Sequence, residues 1–385
     1  MGASQQCVIL GRGPTGLAAA LVLARAGYQP LVIGPPPAAA PSGALQLASN
    51  GFAALQQMAP QLADQLLARS TRLADIEIKR LADGTRLGRI EHGPRLYAGV
   101  SRAVLAELLD EACRETVDKG GRIDFIDTRI THITEQAGRA RLLTEKGDIL
   151  VADQLLATDG PHGVGRQFVA PQQAPRATAQ LALRASLPKT AVPSGFAGPA
   201  TRLWLGEACH LVSYPYGPDG RINLVLALTP QAGESPDQAA RSRLSGSSVL
   251  GWLAEAVEAW QPTPLWQACV LDCWRRGPVV LAGEAAHLMP PHLAQGFGQS
   301  LMDIAALAEA LAEEDLPRAL SRMAAERAPA AARIARRAET AGEVMRLGQP
   351  AASWRDKLLG MTGGAVLDSF LGDVWQLPDL PDARS

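Results

Sequence analysis

The chain has 385 residues, with 37 Lys and Arg against 38 Asp and Glu, a net charge of −1, and 47% hydrophobic residues. This is an ordinary globular composition, long enough for two domains or one large one. It excludes nucleic acid as a partner, which calls for clustered basic charge, and no stretch approaches the roughly 20 apolar residues of an integral membrane segment.

The N-terminal MGASQQ lacks the basic start of a signal peptide. The five cysteines (Cys7, Cys113, Cys209, Cys269 and Cys273) are odd in number and contain no CxxC. They predict reduced thiols in a cytoplasmic protein.

In chain order, residues 6–10 form a short apolar run that predicts a buried parallel strand, followed by a helix ending at Gly27. Residues 30–34 predict a second strand, the proline-rich 35–43 a loop, and 49–69 a helix broken near Pro60. Residues 74–91 predict a hairpin turning at Asp83-Gly84. Residues 101–121 predict an amphipathic helix capped by Ser101.

Three strands are expected next, in RIDFI, RARLLTEKG and DILVADQLLA, the last two turning at Lys146-Gly147. Residues 176–230 change to strand-like runs separated by Gly, Pro and Asp, predicting an inserted antiparallel sheet. Residues 237–260 and 298–346 predict helix, with a strand at 279–283 between them. The last 35 residues or so are uninformative.

Three segments carry chemistry. Gly11-Arg12-Gly13-Pro14-Thr15-Gly16 is a G-x-G-x-x-G between strand and helix. Its glycines allow a tight turn, close approach of backbone to a pyrophosphate, and close helix–strand packing. The helix N-terminus offers free N–H groups and a positive dipole end to the anion. The acidic residue expected at the end of the second strand is missing, since that strand ends in Gly34-Pro35. Asp159-Gly160 follows another apolar run and leads to Arg166; alone it reads as a turn with a helix cap. In the third segment Glu284 ends a strand, a loop with Pro290, Pro291 and His292 follows, and Gln295-Gly296-Phe297-Gly298 opens a long Ala/Leu helix.

Taken together, these segments resemble the signatures of the FAD-dependent aromatic monooxygenases of the salicylate-hydroxylase and ubiquinone-hydroxylase type. The second resembles GADGxxSxxR, with Gly163 for Ser. The third resembles GDAAHxxPPxxGQGxN, with Glu284 for Asp, Ala294 for Gly, and Gly298-Gln299 where Gly-x-Asn is usual. Residues 42–58, including Gln46, and Arg102 resemble further stretches that meet the flavin.

The resemblance implies an α/β fold. A Rossmann-type FAD-binding domain (1–175 and 265–345) would carry an inserted antiparallel β-sheet substrate domain (176–264), followed by a C-terminal helical region and a terminal segment (346–385). It implies FAD and NAD(P)H as cofactors, a small aromatic substrate, and leaves a homodimer open. FAD would be held by Gly11, Gly13, Pro14, Thr15, Gly16, Gln46, Arg102, Asp159, Glu284, Gln295, Gly296, Phe297 and Gly298. No metal cluster or nucleophilic triad is needed, and none is visible in the sequence.

His210, Val212, Tyr214 and Tyr216 alternate along one expected strand and so share a face. His210 and Tyr214 are the candidate catalytic pair, able to hydrogen-bond a phenol or relay its proton. A surface histidine and a packing tyrosine is the plain alternative. Tyr216, Pro291 and His292 are the candidate substrate contacts, and His287 reads as a structural group bonding loop carbonyls. Arg184, Arg202 and Arg221 lie in the substrate sheet, none obviously dedicated to a carboxylate.

Two other readings stay open at this point. One is a relative with weak or lost FAD binding that serves as a partner or scaffold, for example in quinone biosynthesis; the other is a flavin oxidase or dehydrogenase. Losing the carboxylate at Gly34 should cost on the order of 3 kcal/mol, so FAD is expected to bind reversibly at micromolar levels, and Gly34→Glu to tighten it if the backbone there admits a side chain.

Overall fold

The structure is a computed structural model that describes residues 7–36, 42–93, 95–362, 371, 374 and 375. The N-terminal six residues, part of the proline-rich loop and most of the last 23 lie outside it.

Short, fully buried strands make the centre. A six-stranded sheet runs in the order 275–276, 279–281, 154–157, 7–10, 31–33, 124–126. All its pairings are parallel except the first. Cys7–Leu10 and Gln154–Ala157 are buried at every position, as continuous apolar runs in a covered parallel sheet should be. The helix Pro14–Arg25, rich in Ala, Leu and Val, is buried from Gly16 through Ala24. It packs against the helices Arg102–Asp118 and Gly296–Leu311. The chain reverses direction across the sheet at the strand Cys7–Leu10, which puts its C-terminal end at a topological switch point, where such sheets bind ligands.

The second large sheet has seven strands, ordered 261–266, 177–187, 221–228, 210–216, 200–205, 75–80, 86–91. Its neighbours are antiparallel except for a parallel pairing of 200–205 with 75–80. Two of its strands therefore come from the 75–91 hairpin, outside the 176–264 span expected for it. The hairpin turns at Asp83-Gly84, where Asp83 Oδ1 accepts from the Thr85 N–H at 2.9 Å. Ser101 caps its helix by accepting from the Val104 N–H.

Elsewhere local detail differs from expectation. Ile130–Gln136 is an additional strand, and DILVADQLLA splits at Asp153 into strands of two different sheets. Residues 237–260 hold only the helices Pro236–Leu244 and Leu253–Ala256. The long C-terminal helical stretch divides at 312–315 into Gly296–Leu311 and Leu316–Met345. A further helix, Ala351–Thr362, falls in the segment that looked uninformative. Among the described residues no helix is long and apolar enough to cross a membrane.

Candidate active site

One cavity of about 1420 Å³ runs from the phosphate loop, past the loop at 284–297, to the inner face of the seven-stranded sheet. At its first end, Gly11 has φ +112°, and an added Cβ would lie 2.7 Å from Thr158 O. A Cβ on Gly16 would lie 2.0 Å from Gly11 O, so Gly16 faces the loop backbone rather than the cavity. Gly13 is the opposite case: it borders the cavity, and an added Cβ would meet nothing within 4 Å. It is also the N-cap of the helix Pro14–Arg25, without a side-chain cap. The first helical N–H groups thus have no side-chain acceptor, the arrangement that suits an anion.

Asp159 borders the same cavity. Its Oδ2 accepts from the Gly165 N–H at 2.9 Å, while Oδ1 is buried without a partner among the described residues. Burial raises its pKa to about 6, against the lowering effect of backbone N–H groups. A Cβ at Gly163 would lie 2.1 Å from the Asp159 carboxyl carbon, so the departure from Ser leaves room for this carboxylate to fold over the short helix Val164–Val169. Arg166 is buried away from the cavity and donates to Ala285 O at 2.7 Å and Cys269 O at 3.0 Å, strapping this segment to the next loop.

That loop is held by a buried ionic network. Asp303 accepts from His287 Nε2 at 2.7 Å, from the Gly283 N–H at 2.9 Å and from Arg327 Nε at 2.9 Å. Arg327 also donates to Gln299 Oε1 at 2.6 Å. Burial opposes the charge on Asp303, but His287, Arg327 and the Gly283 N–H together hold its pKa below the usual carboxylate range. His287 is structural, as expected, but it bonds a carboxylate rather than loop carbonyls. Asp303 and Arg327 lie 24 residues apart inside helices, and no motif pointed to them.

Glu284, Pro291, His292, Gly296 and Phe297 border the cavity, as do Pro14, Thr15, Gln46 and Arg102. Gln46 donates through Nε2 to Thr201 Oγ1, tying the strand Ala44–Leu47 to the seven-stranded sheet. Gln295 and Gly298, expected at the cofactor, do not border the cavity. Gln295 Oε1 accepts from Asn50 Nδ2 at 2.8 Å, and Gly298 allows the close crossing with Gly51.

At the sheet end, His210, Val212 and Tyr214 face the cavity together. Tyr216 does not. Its hydroxyl bonds Ser186 Oγ at 2.9 Å, and the strand Ala98–Ser101 packs on the backbone at 215–216, where a Cβ on Gly99 would lie 2.1 Å from Pro215 O. His210 is buried, its Nδ1 has no partner among the described residues, and its ring centroid lies 5.4 Å from that of His292. Burial, with His292, Arg346 and Arg355 nearby, lowers the His210 pKa to about 3; burial and Arg346 lower that of His292 to about 4. Burial pushes the Tyr214 phenol well up.

Of the three arginines in the sheet, Arg202 donates to Phe196 O and pairs with Glu77 at 3.2 Å, and Arg221 bonds Ser186. The Arg184 side chain borders the cavity and makes no hydrogen bond or ion pair among the described residues. Burial, with Arg102 nearby, lowers its pKa, and Tyr214 opposes this.

The open cradle at Gly13, the uncapped helix end and the unpartnered Asp159 oxygen fit a dinucleotide. Residues 4–338 match the family described as FAD binding domain. The chain belongs to the FAD-dependent aromatic monooxygenases. It is 30% identical over 324 residues to a 3-amino-4-hydroxybenzoate 2-monooxygenase (PtmB3) of Streptomyces platensis, covering 80% of each chain. It is 28% identical to the 3-hydroxybenzoate 6-hydroxylase of Polaromonas naphthalenivorans, over 85% of this chain and 84% of that one. Klebsiella pneumoniae HpxO, solved with FAD and uric acid, has the same fold, with a TM-score of 0.85, 19% identity and 98% of each chain covered. FAD is the cofactor of this family, and the scaffold reading finds no support among these relatives.

The same geometry corrects one expectation. Gly34 has φ +156°, and its Cβ would lie 3.1 Å from Arg12 N. A grafted glutamate there is strained, so Gly34→Glu is no simple repair of the missing carboxylate.

Proposed function

We propose that this monooxygenase hydroxylates an electron-rich, hydroxylated aromatic carboxylate, using NAD(P)H and O2. The observation that carries this reading is the pairing of His210 and Tyr214 on the cavity face of one strand, with unspent hydrogen-bonding capacity, beside the unpaired cation of Arg184. The relatives named above act on hydroxybenzoates and aminohydroxybenzoates, which supports a ring bearing both a hydroxyl and a carboxylate.

Gly11, Gly13, Pro14, Thr15 and the helix end behind them would hold the pyrophosphate of FAD, with Asp159 beside it. Gln46, Arg102, Glu284, Gly296 and Phe297 would flank the rest of the cofactor. When bound and reduced by NAD(P)H, FAD would supply the oxygen-activating chemistry by which one atom of O2 enters the ring and the other leaves as water. The protein's own part is binding, orientation and proton control. With its pKa near 3, the His210 imidazole stays neutral at working pH, so Nδ1 can accept a hydrogen bond from the ring hydroxyl and draw off proton density as the ring is attacked. Tyr214 can donate to the same oxygen or to the carboxylate. Arg184 balances the anion's charge in a site where burial makes unpaired charge costly. Pro291 and His292 close the ring's edge.

The experiment is NAD(P)H oxidation by the FAD-loaded protein with 3-hydroxybenzoate, 4-hydroxybenzoate and salicylate, with product analysis. Ring-dependent oxidation with matching hydroxylated product is expected. Oxidation yielding only hydrogen peroxide with every ring would overturn the reading in favour of an oxidase.

A further inference from the structure

The cavity of about 1420 Å³ does not end at His210, Tyr214 and Arg184 but continues past them as an arm on one side. Val212, Leu203 and Ile78 are successive cross-strand partners on three neighbouring strands, and Ile90, on a fourth, sits opposite Ile76. All five border the cavity. Strands in a sheet lie about 4.8 Å apart, so this row runs roughly 15 Å across the sheet, whereas one ring covers about one such spacing.

The facing wall is also apolar. Met345 and Leu359 pack against the cluster of Ile78, Leu87, Leu203 and Leu205. Arg355 borders this part too, but its guanidinium is committed to Asp356 and to the carbonyls of Val344 and Met345. Those bonds engage all three of its guanidinium nitrogens.

The arm reaches the surface at the helix Ala351–Thr362. Trp354 is 69% exposed and Leu358 59%, and both border the cavity. Met361, 76% exposed, continues the same helix face at the i, i+4, i+7 spacing. Large apolar side chains left in water around an opening mark a place where apolar matter enters.

We propose that the substrate ring carries a hydrocarbon chain of several carbons, which lies in this arm between the sheet and the helix Ala351–Thr362. The inference rests on the reading of the ring site above and extends it. The ring sits among His210, Tyr214 and Arg184, while the chain runs over Val212, Leu203 and Ile78 toward Leu358 and Trp354.

The test is the binding of 3-hydroxybenzoates carrying straight alkyl chains, methyl to octyl, at each free ring position, read by equilibrium dialysis against the FAD-loaded protein. Along at least one positional series the dissociation constant should fall about fourfold per methylene until the arm is filled. Leu203→Trp and Leu359→Trp, which fill the arm from opposite walls, should each flatten that slope. The slope is read as the octyl-to-methyl ratio, which cancels any change common to all ligands. A flat response in every series overturns the proposal. So does a slope that survives in both tryptophan variants, since the chain would then bind elsewhere. Failure of the ring reading is a separate result: no hydroxylation of the unsubstituted rings, whatever the binding slopes.

Discussion

The two halves of the cavity are built from different materials. The cofactor half is mostly backbone: a glycine turn, an uncapped helix end, and a loop pinned from behind by Asp303 and its partners. The ring half is mostly side chains, delivered by strands scattered from residue 75 to residue 266. A backbone site needs a particular chain conformation, so each piece of it is written in a short contiguous stretch, as at Gly11–Gly16. A side-chain site needs only that each strand present one face, so its chemistry can be changed position by position. One half can then stay fixed as the cofactor stays fixed, while the other adapts to the ring.

If the loop is pinned as described, the largest effect comes from Asp303→Asn. The change leaves Arg327 buried without its charge partner, which typically costs about 3–5 kcal/mol. The melting temperature should fall by many degrees, and flavin should be lost together with fold stability. A variant as stable as the parent would show that the network does not hold the loop.

Next in size is a contrast between two glycines of one motif. Gly13→Val should fold normally and weaken FAD about a hundredfold or more, because its side chain enters only the cavity. Gly16→Val should destabilise the fold itself, because its side chain meets Gly11 O. Circular dichroism and fluorescence titration with FAD separate the two outcomes. Equal folding defects in both would erase the distinction between cradle and packing glycine.

The same division explains what was legible in the sequence. The Gly11–Gly16 turn, the Ser101 cap and the Asp83-Gly84 turn are each specified by a few consecutive residues, so they could be read directly. Tyr216 shared the alternation of His210 and Tyr214, yet it lies past the point where the strand Ala98–Ser101 closes the wall. Period alone cannot show where a wall ends. Gln295 and Gly298 match the family's flavin-contact pattern, but they are spent on Asn50 and Gly51 across a helix crossing. Arg184 stood out from Arg202 and Arg221 only once the partners of all three were known. The helix Ala351–Thr362 hid because its apolar residues Trp354, Leu358 and Met361 point outward, against the usual amphipathic pattern.

The ring half is sharpened by Arg184→Gln. If the guanidinium balances the substrate carboxylate, KM for a hydroxybenzoate should rise roughly 10- to 100-fold, the worth of a charged hydrogen bond. FAD affinity should hardly move. A shift in FAD affinity with KM unchanged would assign Arg184 to the cofactor half instead.

Acid should also treat the halves oppositely. His210 and His292 have folded pKa values of about 3 and 4, below the ordinary 6.5. The unfolded chain therefore binds more protons as pH falls below 6.5, and each residue withdraws about 1 kcal/mol of stability by pH 5.5. Asp159, raised to about 6, works the other way: its protonated form is favoured in the fold, and that contribution is lost as pH rises through 6. The melting temperature should fall between pH 7 and pH 5. His292→Gln should make that fall shallower, and Asp159→Asn should make it steeper. A melting temperature independent of pH in this range, in the parent and in Asp159→Asn alike, would mean that both imidazoles reach solvent.

The smallest expected effect lies at the junction of the halves, at Ala294, where the signature that this loop resembles has glycine. The residue keeps the left-handed conformation that glycine would adopt, with φ +53° and ψ +33°. This conformation costs an L-residue roughly 1–2 kcal/mol. Glycine would remove that strain, but it brings about 0.5–1 kcal/mol of extra chain entropy to the unfolded state. Ala294→Gly should therefore stabilise the protein by about 0.5–1 kcal/mol, a rise of a degree or two in the melting temperature. The substitution lies one residue before Gln295, the N-cap of the helix Gly296–Leu311, and it removes only a methyl group from the cavity edge. FAD affinity should stay within about threefold of the parent, since the backbone donors keep their place. Loss of stability in Ala294→Gly would mean that the alanine methyl packs for more than the strain it causes. The loop would then hold its shape through side-chain contact, as the ring half does, and not through backbone alone.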